Sequence, residues 1–256
     1  MASLSEIRDS LQQRLLTYLY RGTESSSLVL KGGAAMRVLT ESARYTQDLD
    51  FDHDPHRSLA SLQKTVRSAI HRALQGGGIL QTSITEPKQT DTVARWKISA
   101  RTSAGENLQL TVEISRRRAP DLSHVIKVPV QIADRTLPRV YVSVYDEQAL
   151  ADNKLAALLD ERRNAPRDIY DLELLLARGV CPSPQAIEQA GGYSTLLPRV
   201  SEKLDLMGWA LFRDQVLPAL PREIQANIDE EEYLATKIRL LESLERCLSK
   251  HPAGGQ

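Results

Sequence analysis

The chain has 256 residues with 33 basic and 33 acidic side chains, so its formal net charge at pH 7 is +0. This balance excludes a protein that binds nucleic acid over its whole surface, so any RNA contact has to come from a local basic patch. No apolar run approaches the ~20 residues of a membrane span, and the first residues, MASLSEIRDS, do not resemble a signal peptide. We therefore expect a cytoplasmic protein with no membrane partner.

The first predicted element is an amphipathic helix over residues 3–21. Its apolar positions recur at helical spacing, and Ser3 followed by Glu6 has the form of a capping box. We interpret this helix as scaffold.

Residues 28–54, LVLKGGAAMRVLTESARYTQDLDFDHD, contain the most informative pattern in the chain. An apolar run breaks at Gly32-Gly33, a helix-like segment follows, and an extended segment then carries Asp48 and Asp50. Residues i and i+2 of a strand share a face, so the two carboxylates are predicted to point the same way, with Leu49 and the next apolar residue turned towards a core.

Two neighbouring carboxylates repel each other unless a cation sits between them, and Mg²⁺ is the ion that one or two carboxylates plus substrate phosphates hold. A glycine pair at a helix N-terminus lets backbone N–H groups approach a phosphate. The segment therefore predicts a metal–nucleotide site.

Gly-Gly, a helix and Asp-x-Asp on a strand resemble the signature of the DNA polymerase beta-like nucleotidyltransferase superfamily. The fuller pattern, Lys31-Gly32-Gly33 followed by Arg44-x-Thr46-x-Asp48-Leu49-Asp50-Phe51, is similar to its AbiEii/AbiGii branch. That branch contains toxins of bacterial toxin–antitoxin and abortive-infection systems, including MenT-like toxins. The resemblance implies that a nucleoside triphosphate (NTP) is bound by Lys31, Gly32, Gly33, Arg37 and Arg44, with Mg²⁺ on Asp48 and Asp50.

A helix over residues 58–74 precedes five short alternating segments, which we predict to be strands: 79–85, 92–100, 108–115, 125–132 and 140–144. Residues 1–145 are thus predicted to form an α+β domain with a nucleotidyltransferase-like mixed sheet and flanking helices. The resemblance implies a third metal ligand on a neighbouring strand, for which Glu113 is the best candidate. The basic run Arg116, Arg117 and Arg118 follows directly and is a candidate RNA contact.

Strand signals end near Asp146, which has the position of a helix N-cap, and residues 146–256 are predicted to form a helical domain that completes the active site. Pro166 opens the second helix of this part, and Arg167 is spaced to pair with Asp171. A last long helix is expected over residues 229–249.

The stretch ADNKLAALLDERRNAPRDIYDLELLL resembles the downstream motifs of the same toxins. The resemblance implies that Lys154 holds the triphosphate and that Asp168 or Asp171 acts in catalysis, without deciding between the two. The alternative is a helix hairpin joined by surface ion pairs, which contribute little stability.

Two further interpretations concern single residues outside the motifs. Cys181 and Cys247 fit no metal or redox spacing, and we expect both to be reduced thiols. Trp209 and Phe212 are expected in the core.

The function implied by the resemblance is that of a metal-dependent nucleotidyltransferase toxin. It would transfer a nucleoside monophosphate from the NTP to an RNA, and so block translation. The resemblance implies that the acceptor is the tRNA 3′ end and that a cognate antitoxin is encoded nearby. A small-molecule or protein acceptor, or a catalytically silent nucleotide-binding module, is the alternative. The sequence leaves open which NTP is used.

Overall fold

The computed structural model describes residues 3–22, 27–75, 78–130 and 136–250. The chain divides into two compact units, the first drawn from residues 1–41 and 45–145, the second from residues 42–44 and 146–256. The first is α+β and the second is helical, which confirms the predicted fold class.

The first unit contains three α-helices and seven strands in its described part. The helices are α1 (Leu4–Tyr20), α2 (Gly32–Thr40) and α3 (Leu59–Leu74). The strands are β1 (Leu28–Lys31), β2 (Asp48–His53), β3 (Ile79–Gln89), β4 (Val93–Thr102), β5 (Asn107–Ser115), β6 (Val125–Pro129) and β7 (Tyr141–Tyr145). The end of the predicted 125–132 strand lies partly outside the described residues.

The strands form one mixed sheet in the order β3-β4-β5-β2-β1-β7-β6. The central strand β2 runs parallel to β5 and antiparallel to β1, while β1 runs parallel to β7. Strand β3 lies at an end of this order and extends past the predicted segment through Pro87, beside a register shift. An edge position tolerates proline because the missing N–H costs no ladder hydrogen bond there.

Helix α1 begins with the predicted capping box. The Ser3 hydroxyl accepts from the Glu6 N–H at 3.2 Å, and the Glu6 carboxylate accepts from the Ser3 N–H at 2.6 Å. The helix packs on the sheet face that carries Phe51, whose ring centroid lies 6.5 Å from that of Tyr20. This buried face forms the core of the first unit.

The second unit is built from helices around its own apolar core. The helices are α4 (Glu147–Leu159), α5 (Pro166–Ala177), α6 (Pro184–Gln189), α7 (Tyr193–Asp205), α8 (Trp209–Gln215), α9 (Arg222–Gln225) and α10 (Glu230–Lys250). Asp146 caps α4 as predicted, accepting from the Ala149 N–H at 2.8 Å. The Phe212 ring is buried and stacks at 4.3 Å on Tyr233 and at 5.9 Å on the half-buried Trp209, so both predicted core aromatics contribute to this core.

The expectation of two reduced cysteines was wrong, because Cys181 and Cys247 form a disulfide. The bond ties the segment before α6 to the last helix, across a sequence separation of 66 residues. Sequence spacing did not indicate it, since only the folded core brings the two Cα atoms to 5.6 Å. Within the described residues, every helix is too short or too polar to cross a bilayer.

Candidate active site

Strand β2 presents three carboxylates on one face. Asp48, Asp50 and Asp52 are partly exposed, whereas the alternating Leu49 and Phe51 are fully buried. The pleat of a strand separates these two sets, as predicted from the sequence. The face of β2 opposite the core therefore carries a row of negative charge.

Gly32 brings the start of α2 against this row. Its φ is +66°, a left-handed conformation that L residues with a side chain rarely adopt. A Cβ at Gly32 would lie 3.2 Å from the Asp50 Oδ2 atom, so the absence of a side chain permits the close approach. The helix begins at this glycine, earlier than the sequence indicated, and directs its positive end towards the carboxylate.

Three adjacent strands align Lys31, Asp50 and Glu113. Asp50 is the register partner of Lys31 on β1 and of Glu113 on β5. The Lys31 ammonium instead pairs with Asp52, the next residue on the same face of β2, and lies 2.5 Å from its Oδ1 atom. The Tyr145 hydroxyl donates to the Asp52 Oδ2 atom at 2.9 Å. Burial and the Asp52 charge raise the pKa of Tyr145, so the phenol stays protonated and remains a donor.

The donor set fits a two-carboxylate magnesium site better than a three-carboxylate one. Asp48 and Asp50 share a partly exposed face, as a hard cation shared with substrate phosphates requires. The Glu113 Oε2 atom instead accepts from the Arg95 guanidinium at 2.6 Å. Among the described residues, no group of three or more His, Cys, Asp or Glu side chains is placed to ligate a metal. The role of Glu113 as a third ligand therefore stays a prediction.

Arg8 of α1 is close enough to Asp48 to interact with its charge. Burial lowers the pKa of the Arg8 guanidinium, and the nearby Asp48 charge partly offsets this. Its Nε atom donates to the Gln109 carbonyl at 2.9 Å, which fixes it in place. Arg8 was not singled out from the sequence, because its helix was interpreted only as scaffold.

The contacts described for Arg37 are with helix α1 and Tyr45. Its guanidinium pairs with Asp9 of α1, with an Nη2–Oδ2 distance of 2.9 Å, and lies 4.4 Å from the ring centroid of Tyr45. A cavity of about 240 Å³ adjoins it and is lined by Leu49, which is on the buried face of β2. Nucleotide binding by Arg37 stays a prediction that this geometry does not favour.

The second unit holds a network of three cations and two carboxylates, all of them buried except Arg163, whose side chain is 37% exposed. Arg44 donates to Asp171 at 2.9 and 2.7 Å, and Lys154 lies 2.5 Å from Asp171 and 3.0 Å from Asp168. Arg163 lies 2.6 Å from the second oxygen of Asp168. Burial would raise the pKa of Asp171, but the Lys154 and Arg44 charges outweigh it and hold that pKa at about 2.

This network corrects the expected pairing of Arg167 with Asp171. Asp171 is fully buried and takes Arg44 and Lys154 as partners, while Arg167 is exposed. Helical spacing allowed the first pair, but a buried carboxylate needs partners that are buried with it.

The basic run Arg116–Arg118 is divided between the interior and the surface. Arg116 is buried and donates to the backbone carbonyls of Asp91, Pro55 and Arg57 at 3.0, 2.7 and 2.5 Å. Arg117 and Arg118 are exposed. Arg116 therefore has a structural role that the sequence did not indicate, and the exposed pair remains the candidate RNA contact.

Comparison with protein-family models decides the family. Residues 14–246 match the model described as nucleotidyl transferase AbiEii toxin, type IV toxin–antitoxin system. The chain belongs to the AbiEii family. The AbiEii chain is thus a nucleotidyltransferase toxin of a type IV toxin–antitoxin system, which confirms the predicted resemblance.

Solved structures show the same fold. JHP933 from Helicobacter pylori is 24% identical over 98% of this chain and 96% of its own, with a TM-score of 0.65. MenT4, described as the nucleotidyltransferase toxin Rv2826c from Mycobacterium tuberculosis H37Rv, is 19% identical over 98% of this chain and 85% of its own, with a TM-score of 0.54. No curated protein matches the AbiEii chain.

In each unit, charged partners of the candidate residues were not assigned a role from the sequence. Asp52 continues the i+2 alternation of Asp48 and Asp50, and that alternation is the signal that could have found it. Arg95 and Arg163 gave no signal, because their pairing with carboxylates depends on strand register and on a loop conformation.

Proposed function

We propose that this AbiEii chain transfers a nucleoside monophosphate from an NTP to an RNA hydroxyl, at the tRNA 3′ end, and so blocks translation. The observation that carries the proposal is the approach of Gly32 to Asp50 on a strand face shared with Asp48 and Lys31. Backbone N–H groups, two carboxylates and a cation are the groups that a metal–triphosphate complex needs.

In the proposed reaction the acceptor oxygen attacks the α-phosphorus of the NTP. A new P–O bond forms, the bond between the α-phosphorus and the bridging oxygen to the β-phosphate breaks, and pyrophosphate leaves. The hydroxyl proton passes to a base or to solvent. Mg²⁺, when bound, neutralises the triphosphate and the charge that develops on the leaving group.

The residues of the first unit would mainly position and neutralise. Asp48 and Asp50 would hold Mg²⁺, the backbone N–H groups of Gly32 and Gly33 would donate hydrogen bonds to phosphate oxygens, and Lys31 would neutralise the phosphate charge. Such positioning accounts for most of the catalysis in phosphoryl transfer. Roles for Lys154 in triphosphate binding and for Asp168 or Asp171 in catalysis rest on the family resemblance.

An RNA acceptor is supported by the exposed Arg117 and Arg118, which follow Arg116 just beyond the strand that carries Glu113. Paired guanidinium groups attract a polyanion more than a neutral small molecule. A toxin that acts on tRNA would work in the cytoplasm, and its antitoxin would be encoded nearby.

The test is a labelling reaction with purified protein, Mg²⁺, total bacterial RNA and each of the four alpha-radiolabelled NTPs. It is run beside the Asp48→Asn/Asp50→Asn double variant, which keeps side-chain shape and removes the charge. Glu173→Gln is the matched control, since Glu173 lies in the second unit and pairs only with Arg239 among its described contacts.

Label in tRNA-sized bands with the parent and Glu173→Gln, but not with the double variant, is the expected result. Label in protein or in small molecules, and not in RNA, would contradict the proposed RNA acceptor. Equal labelling of tRNA by the double variant would contradict the assignment of Asp48 and Asp50.

A further inference from the structure

We propose that Asp52 is a positioning residue for the reaction, which orients the Lys31 ammonium towards the triphosphate without itself touching substrate. This inference rests on the proposed function. It concerns a third carboxylate of β2, beyond the two that form the family signature.

The pairing of β1 with β2 places two carboxylates within reach of the Lys31 side chain. Its direct register partner is Asp50, and Asp52 is the diagonal neighbour on the same face. Diagonal neighbours in a sheet lie within reach of long side chains. The ammonium takes the diagonal position, 2.5 Å from Asp52 Oδ1, so it does not form its ion pair with the carboxylate assigned to magnesium.

Tyr145 holds the second oxygen of the Asp52 carboxylate. Its hydroxyl donates to Asp52 Oδ2 at 2.9 Å, and Tyr145 is itself buried at the end of β7. Asp52 is thus held by one hydrogen bond and one ion pair, on two different oxygens. A carboxylate held on both oxygens has little rotational freedom, so it can define the position of a flexible lysine.

The Lys31 ammonium remains available to a ligand. About a third of the Lys31 side chain is exposed, against a fifth for Asp52. Lys31 also immediately precedes Gly32, where α2 begins. A lysine that is already ordered loses less conformational entropy when a phosphate binds, and this lowers the KM for NTP.

The experiment measures KM and kcat for the NTP that labels RNA, with the full chain as parent, Asp52→Asn, Lys31→Ala and the double variant. Asp52→Asn keeps the shape and removes the charge. We expect KM to rise about five- to tenfold, with kcat changed much less. A rise of this size corresponds to the entropic cost of ordering one flexible lysine side chain when the NTP binds. Glu173→Gln, whose carboxylate is equally exposed and also ion-paired, should leave KM and kcat unchanged.

The double variant separates action through Lys31 from a general structural role. In the Lys31→Ala background, Asp52→Asn should cause no further rise in KM. An equal rise in both backgrounds would overturn the proposal. So would an unchanged or lower KM for Asp52→Asn alone, because Asp52 would then only compete with phosphate for the lysine.

Tyr145→Phe provides a second variant that removes one hydrogen bond from Asp52 and preserves ring packing. A smaller rise in KM is expected, and this variant decides the matter if Asp52→Asn does not fold. If the parent labels no acceptor, the proposed reaction fails, and equilibrium dialysis with radiolabelled ATP, GTP, CTP and UTP replaces kinetics. The same loss of affinity in Asp52→Asn would then support the positioning role, and no NTP binding by the parent would overturn both proposals.

Discussion

Arg44 and Asp171 lie 127 residues apart in sequence and form a buried two-point ion pair, with distances of 2.9 and 2.7 Å. The short segment 42–44, which contains Arg44, belongs to the helical unit, although the residues on both sides of it belong to the α+β unit. Two residues that the family resemblance marks for function therefore also stabilise the fold.

Replacing Asp171 with Asn should lower the free energy of unfolding by about 3 kcal/mol, because the buried cations Arg44 and Lys154 would lose the carboxylate that neutralises them both. Urea unfolding measures this. Glu173→Gln breaks an exposed pair with Arg239 and should cost less than about 1 kcal/mol. Equal losses in the two variants would contradict the assignment of a structural role to Asp171.

Acid should weaken the network through Asp171. Its pKa is about 2 in the folded chain against 3.8 ordinarily, so the folded state binds the proton less well than the unfolded state. The stability it contributes is complete above a pH of about 4 and is lost as the pH falls towards about 2. The stability gap between the parent and Asp171→Asn should narrow by about 2 kcal/mol across this window. A constant gap would show that Asp171 does not titrate as described.

Gly32→Ala should reduce nucleotidyl transfer at least tenfold, because its Cβ would lie 3.2 Å from Asp50 Oδ2 and would move the carboxylate or the start of α2. The matched control is Gly179→Ala, which has φ +83° and no atom within 4 Å of the added Cβ. Both variants should lose about 1 kcal/mol of stability from the left-handed backbone. Only Gly32→Ala should lose activity, and comparable activities would contradict the role of close approach.

The basic run should separate into two kinds of residue. Arg117→Ala/Arg118→Ala should weaken binding to RNA and lower its salt dependence, with stability within about 0.5 kcal/mol of the parent. Arg116→Ala should lower the stability of the fold and leave RNA binding unchanged, because three backbone carbonyls lose their hydrogen-bond donor. Titration of fluorescent RNA at several salt concentrations and thermal unfolding measure the two effects. A loss of RNA affinity in a well-folded Arg116→Ala would contradict this division.

Reduction of the disulfide should destabilise the helical unit. A loop closed over 66 residues restricts the unfolded chain by about 4 kcal/mol in the chain-entropy account. Unfolding of the parent with and without reductant measures the difference. Cys181→Ser/Cys247→Ser is the control, and its stability should be close to that of the reduced parent and insensitive to reductant.

Much of the candidate site could be predicted because it rests on local rules. The i+2 geometry of a strand places Asp48 and Asp50 together, and a glycine pair before a helix marks a close backbone approach. The caps at Ser3 and Asp146 are equally local. These features need only a few consecutive residues, and the structure reproduces their geometry.

The sequence by itself thus determined the fold class, the family and the strand face on which the two carboxylates lie. The tertiary structure alone decided the partners: Asp52 for Lys31, Arg95 for Glu113, and Arg44 with Lys154 for Asp171. It also decided that Cys181 meets Cys247. The physical reason is that charges and thiols pair by distance in space, and that distance follows from strand register and helix packing over separations that no local pattern encodes.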